Sequence, residues 1–86
     1  IGVSPNPFLI GEDQFLTIDD IYSGSNIKIM TLNGNVIYSL DLPYNENRIN
    51  WDGRLSNGKA VDSGIYLIVV ENSQNINGVV KLAVIR

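Results

Sequence analysis

The sequence predicts an all-β fold, and three observations carry that prediction. Twelve Ile and eight Val stand among 86 residues, and β-branched side chains fit a pleated, half-buried surface better than a helix. Apolar runs of four to nine residues are punctuated by Gly, Asn, Asp and Pro, as in strands separated by turns. No window sustains an i, i+3, i+4, i+7 apolar stripe over three helical turns.

The strands follow in order. Gly2–Ser4 enters first, and Pro5-Asn6-Pro7 ends it, because proline cannot donate to a central ladder and suits an edge or a crossover. Gln14–Ile18 comes next, then Asn26–Leu32 and Val36–Leu42, joined by Asn33-Gly34-Asn35. Asn and Gly tolerate the positive φ of primed hairpin turns, and Gly34 is expected to need it. A short Arg48–Trp51 and a long Gly64–Glu71 follow, and a loop from Asn72 to Asn77 leads to Gly78–Ile85.

Alternation assigns the faces. Ile27 and Ile29 point inward and Lys28 to water; Val80, Leu82 and Val84 share one face, with Lys81 opposite. Gly64–Glu71 is apolar on both faces from Tyr66 to Val70, which suits a central strand. Val36, Tyr38 and Leu40 read as one face, yet Ile37 is also apolar, and a bulge reconciles them. About seven short antiparallel strands imply two packed sheets, an immunoglobulin-like β-sandwich.

Between Trp51 and Gly64 the chain holds two turn dipeptides, Asp52-Gly53 and Asn57-Gly58. Asp52 and Asn57 can accept from the backbone that follows, and Gly53 and Gly58 supply positive φ. This is expected to be an ordered loop pinned by Trp51 and Val61.

At 9.5 kDa the chain is one small domain, 1–86, with too little core for a deep enzyme cleft. It contains no His and no Cys, which removes triad nucleophiles, thiolate or imidazole metal sites, haem ligation and disulfides. Neither catalysis nor a cofactor is expected. The net charge of −3, with Lys28, Arg48, Arg54, Lys59, Lys81 and Arg86 scattered, argues against nucleic acid and against a polybasic membrane anchor. No apolar run is long enough to insert in a membrane, and no cleavable leader opens the chain. Starting at Ile1, the sequence reads as a fragment of a longer protein.

Three constellations have bland readings that win. Glu12-Asp13, Asp19-Asp20 and Asp52 with Asp62 offer oxygens to calcium, but no segment matches the twelve-residue loop with its spaced carboxylates, so they read as solvated turns. Tyr22, Tyr44, Trp51 and Tyr66 could stack on a sugar. Trp51 and Tyr66 sit where a sandwich buries its anchors, however. Gly53, Gly58 and Gly64 lack the helix that a phosphate loop requires.

The motifs in sequence order resemble one family over nearly the whole chain. They are Ser4-Pro5-Asn6-Pro7-Phe8, the run Ile27 to Ile37 around Asn33-Gly34, Trp51-Asp52-Gly53-Arg54, Asn57-Gly58, Ser63-Gly64-Ile65-Tyr66, and Lys81-Leu82-Ala83-Val84-Ile85-Arg86. Together they resemble the type A C-terminal sorting domain of the type IX secretion system of Bacteroidetes. Met30-Thr31 replaces the family's usual aromatic-acidic pair, and Asn35 its usual Arg. A near relative with the same Trp-Asp-Gly and Ser-Gly-x-Tyr pattern is the Ig-like domain of flagellar hook-capping proteins.

The resemblance implies a C-terminal signal that directs an exported protein through the periplasm and across the outer membrane to the cell surface or beyond. Its implied partners are an outer-membrane shuttle barrel, a surface sortase and anionic lipopolysaccharide. The alternative is a retained structural or assembly module. Lys81, Leu82, Val84 and Arg86 are the expected recognition residues; Pro5, Asn6, Pro7, Gly34, Trp51, Asp52, Gly53, Gly58, Gly64 and Tyr66 are the structural motif. Strand addition is a physical route for recognition, and the last strand is expected to offer the open edge.

Overall fold

The computed structural model describes residues 1–72 and 76–86. Eight strands follow one another: β1 (Gly2–Ser4), β2 (Phe8–Leu9), β3 (Leu16–Asp19), β4 (Asn26–Thr31), β5 (Val36–Asp41), β6 (Ile49–Trp51), β7 (Gly64–Glu71) and β8 (Ile76–Ile85). They form a three-stranded sheet, β1-β3-β6, and a five-stranded sheet, β2-β8-β7-β4-β5. The all-β, immunoglobulin-like sandwich stands.

Alternation places the core between the sheets. Leu16 and Ile18 on β3, with Ile49 and Trp51 on β6, face Ile27 and Ile29 on β4, Tyr66, Ile68 and Val70 on β7, and Leu82 and Val84 on β8, all buried. Lys28 lies on the opposite face of β4, ion-paired with Glu71. β7 is central, between β8 and β4. Its outer face carries half-buried Leu67 and Val69, which explains its apolar character on both sides.

The expected bulge occurs where β4 pairs with β5: Ile29 stands opposite Tyr38, yet Met30 stands opposite Val36. The extra residue, Ile37, packs against the core with Tyr38 and Leu40. Val36 is thereby carried to the other face and is exposed, so Val36, Tyr38 and Leu40 do not share one side.

The hairpin turn differs in kind from the primed turn expected. Gly34 N–H donates to the Thr31 carbonyl at 3.0 Å, and Thr31 N–H to the Asn35 carbonyl at 2.9 Å. Gly34 has φ of 96°, while Asn33 is not among the positive-φ residues. The connection is therefore a three-residue loop ending in a left-handed glycine, not a two-residue primed turn.

One strand was not legible in advance. After β1 the chain crosses from the small sheet to the large one through Ser4-Pro5 and Asn6-Pro7, both cis, and Phe8–Leu9 pairs with Val84–Ile85 in parallel. Among the described residues the count is thus eight strands, with one strand pairing parallel. A two-residue strand is too short for alternation to reveal. β8 begins two residues before the expected Gly78, and the expected loop from Asn72 to Asn77 falls in part on 73–75, outside the described residues.

Candidate functional site

The outer side of β8 is where the expected recognition residues meet the structure. Asn6, held between two prolines that have no N–H of their own, turns its side-chain amide onto that strand. Its Nδ2 donates to the Lys81 carbonyl at 2.9 Å, and its Oδ1 accepts from Ala83 N–H at 3.1 Å. Beyond it β2 takes up Val84 and Ile85, and Ile10 N–H donates to the Ile85 carbonyl at 2.9 Å. Asn6 and β2 together act as a neighbouring strand. The edge expected to be open is filled from Lys81 to Ile85.

The four recognition residues separate by exposure. Leu82 and Val84 are 0% and 2% exposed and belong to the core; Lys81 and Arg86 are exposed. Lys81 has no carboxylate partner among the described residues. Arg86 is tethered: its N–H donates to Ser63 Oγ at 2.8 Å, and its guanidinium pairs with Asp62 at 3.1 Å. Only Lys81 and Arg86 present charge on the folded surface at this strand.

Asp62 also takes part in the corner that leads into β7. Tyr66 O–H donates to the Asp62 carbonyl at 2.7 Å, closing a tyrosine corner at the start of β7 like those of immunoglobulin-type sandwiches. Burial of the phenol, and then the Asp62 carboxylate, raise its pKa above the usual value. Gly64 precedes it without positive φ, and a Cβ there would lie 3.8 Å from the Tyr66 ring and 4.0 Å from its hydroxyl, ordinary contact distances.

The Trp51 loop is built as the sequence implies. Trp51 is 1% exposed; its ring lies 6.2 Å from Phe8 and 5.9 Å from Tyr38, and its Nε1–H donates to the Arg54 carbonyl at 3.0 Å. Asp52 accepts from Arg54 N–H, and Asn57 from Lys59 N–H. Gly53 and Gly58 have φ of 81° and 87°. At Gly53 a Cβ would lie 2.9 Å from Phe8, so the loop closes against β2 only because nothing is there. Val61 is buried and donates its N–H to the Gly53 carbonyl.

The other candidates disperse. Trp51 and Tyr66 are buried, whereas Tyr22 and Tyr44 are exposed, so the four aromatics form no common platform. Asp13 accepts from Leu9 N–H, Asp19 pairs with Arg48, and Asp52 pairs with Arg54. Among the described residues no three acidic side chains converge as a metal set. An open groove of about 310 Å³ lies beside Trp51, lined in part by Phe15, Tyr38, Asn50, Arg54 and Leu55. No helix among the described residues is long and apolar enough to cross a membrane.

Sequence reasoning missed Asn6 as a strand substitute and the hydroxyl of Tyr66 as a tie. The signal for the first was a side-chain amide flanked by two residues without N–H donors, next to the apolar run Phe8-Leu9-Ile10. For the second it was a Tyr four residues after Asp62, at the start of a buried strand.

None of the curated proteins matches this chain. Among solved structures, it is similar to part of PorZ of Porphyromonas gingivalis, described as an essential bacterial surface component of the type-IX secretion system. The identity is 28% and the TM-score 0.82, over 99% of this chain and 11% of that one. The chain thus spans about a tenth of PorZ. The Ig-like domain of FlgD matches residues 16–75, from the first core residue of β3 through β7, and by that match the chain belongs to the FlgD Ig-like domain family.

Proposed function

We propose that this domain is a sorting signal of type IX secretion, a recognition module and not an enzyme. The observation that carries the reading is the likeness to a tenth-sized part of PorZ, a component of that system, over 99% of this chain. The closing Lys81–Arg86 motif, whose two charges are exposed while Leu82 and Val84 between them are buried, supports it. In this reading the folded domain passes through the periplasm and is met by an outer-membrane shuttle barrel and a surface sortase. Cargo then reaches the outer-membrane surface, attached to anionic lipopolysaccharide, or the medium.

The test is Lys81→Ala with Arg86→Ala in a cell with a working secretion system. Both side chains are exposed, and the Arg86–Asp62 pair is solvated, so folding changes by less than about 1 kcal/mol. Cargo should stay in the periplasm. Normal surface display of a folded double variant overturns the reading. Deleting Lys81–Arg86 is the weaker experiment, because it removes Leu82 and Val84 from the core.

Membership of the FlgD Ig-like family favours a second reading. A retained assembly module would remain attached to the mature protein, and mass spectrometry of the surface-exposed form would find its peptides.

A further inference from the structure

The sandwich treats its strand edges unequally. β8 is filled by Asn6 and β2, and β1 and β6 have three residues each. β5, with six residues, ends the five-stranded sheet with no described strand beyond it. Leu42 N–H donates to the Ser25 carbonyl at 2.8 Å. Alternation from that bond turns Leu40 and Tyr38 toward β4 and leaves the backbone groups of Ser39 and Asp41 facing outward. Over Tyr38–Asp41 the edge lacks the Lys, Pro and bulge that usually guard one, and Asp41 is its one charge. The bulge lies at the far end of β5, beside Val36.

We infer that the Tyr38–Asp41 edge of β5 is a docking site for an extended, basic segment of another protein, added antiparallel as a sixth strand. Two observations select that occupant. The edge carries one charge, Asp41, which a Lys or Arg of a partner would meet with its opposite, whereas a second copy brings no base in β5 and the same net charge of −3. Tyr38 also lines the groove of about 310 Å³ beside Trp51, where Phe15 and Leu55 give an apolar patch and Asp52 and Arg54, a mutual ion pair, a polar side. Backbone bonds to Ser39 and Asp41 then supply affinity, and the groove supplies selectivity. A residue opposite Tyr38 points toward the groove side and one opposite Asp41 toward the outer face. The segment therefore carries an aliphatic residue and a base three positions apart. This goes beyond the sorting role and holds or fails without any export assay.

The test uses the full 86-residue chain and a phage library of random nine-residue peptides. Enriched peptides should share the aliphatic-to-basic spacing, and the best of them, made synthetically, should shift the amide signals of Ser39 and Asp41 in an NMR titration. Ser39→Pro removes an outward N–H and no ladder bond, and should weaken binding at least tenfold. The same peptide N-methylated on its β5-facing amides should lose as much on the unchanged protein, which keeps the test valid if Ser39→Pro fails to fold. The inference is overturned if no peptide is enriched, if the shifts fall elsewhere, or if the N-methylated peptide binds equally well. It is also overturned if the same amides shift with protein concentration alone, which would make the occupant a second copy.

Discussion

Replacing Trp51 with Ala removes a side chain that ties both sheets to the loop beside them. The indole is 1% exposed, meets Phe8 of β2 and Tyr38 of β5 at ring distances of 6.2 and 5.9 Å, and donates to the Arg54 carbonyl. Truncating a buried aromatic of this size costs about 3–5 kcal/mol, and the carbonyl left without its donor adds about 1 kcal/mol. A domain of 86 residues has a total stability of about 4–13 kcal/mol. The variant should therefore melt lower by on the order of 15–50 °C or fail to fold, as read by calorimetry or far-UV circular dichroism. Trp51→Phe keeps a ring between Phe8 and Tyr38 and should fall between the two. A Trp51→Ala midpoint within about 2 °C of the parent, well below the 4 °C or more expected per kcal/mol, would refute the anchor.

The two loop glycines should separate in a parallel experiment. Gly53→Ala and Gly58→Ala both meet positive φ, a cost of about 1 kcal/mol, but only the Gly53 Cβ runs into Phe8, adding about 1–3 kcal/mol. Equal denaturation midpoints would mean that the contact with β2 is not made. Tyr66→Phe should lose about 1 kcal/mol at neutral pH with the bond to Asp62. Because the folded pKa of Tyr66 is raised, its contribution is fully present below about pH 10, the unfolded value, and is lost as pH rises toward the folded one. The stability gap between parent and Tyr66→Phe should narrow in alkali, and a constant gap across that range would remove the linkage.

Much of this fold could be read in the sequence because its signals are local. Ile27, Ile29, Leu82 and Val84 alternate with polar or smaller neighbours and are buried as the pattern requires. The Asp52 and Asn57 turns depend on bonds two residues long. What escaped is non-local. Asn6 and Phe8 take their meaning from Ala83 and Val84, more than seventy positions away, and no periodicity connects them. The same blindness affected the site: Lys81-Leu82-Ala83-Val84 reads as an apolar edge until Asn6 is placed beside it, and Val36 changes face because of an extra residue opposite Met30.

The embrace of β8 by β2 also sets an order of events. Asn6 reaches residues 75 and 77 positions further on, and β8 lies between β2 and β7 in the large sheet. As the chain is synthesised, β4 and β5 can pair as a hairpin and β7 can join β4 before β8 is complete. The Asn6 amide and the Phe8–Leu9 backbone have no partner until Lys81–Ile85 exists. Closing so long a loop is among the slowest steps available to an all-β chain. Completion of the sandwich therefore waits for its final strand, and the surface that Asn6 and β2 form with β8 exists only on chains whose synthesis has passed that point.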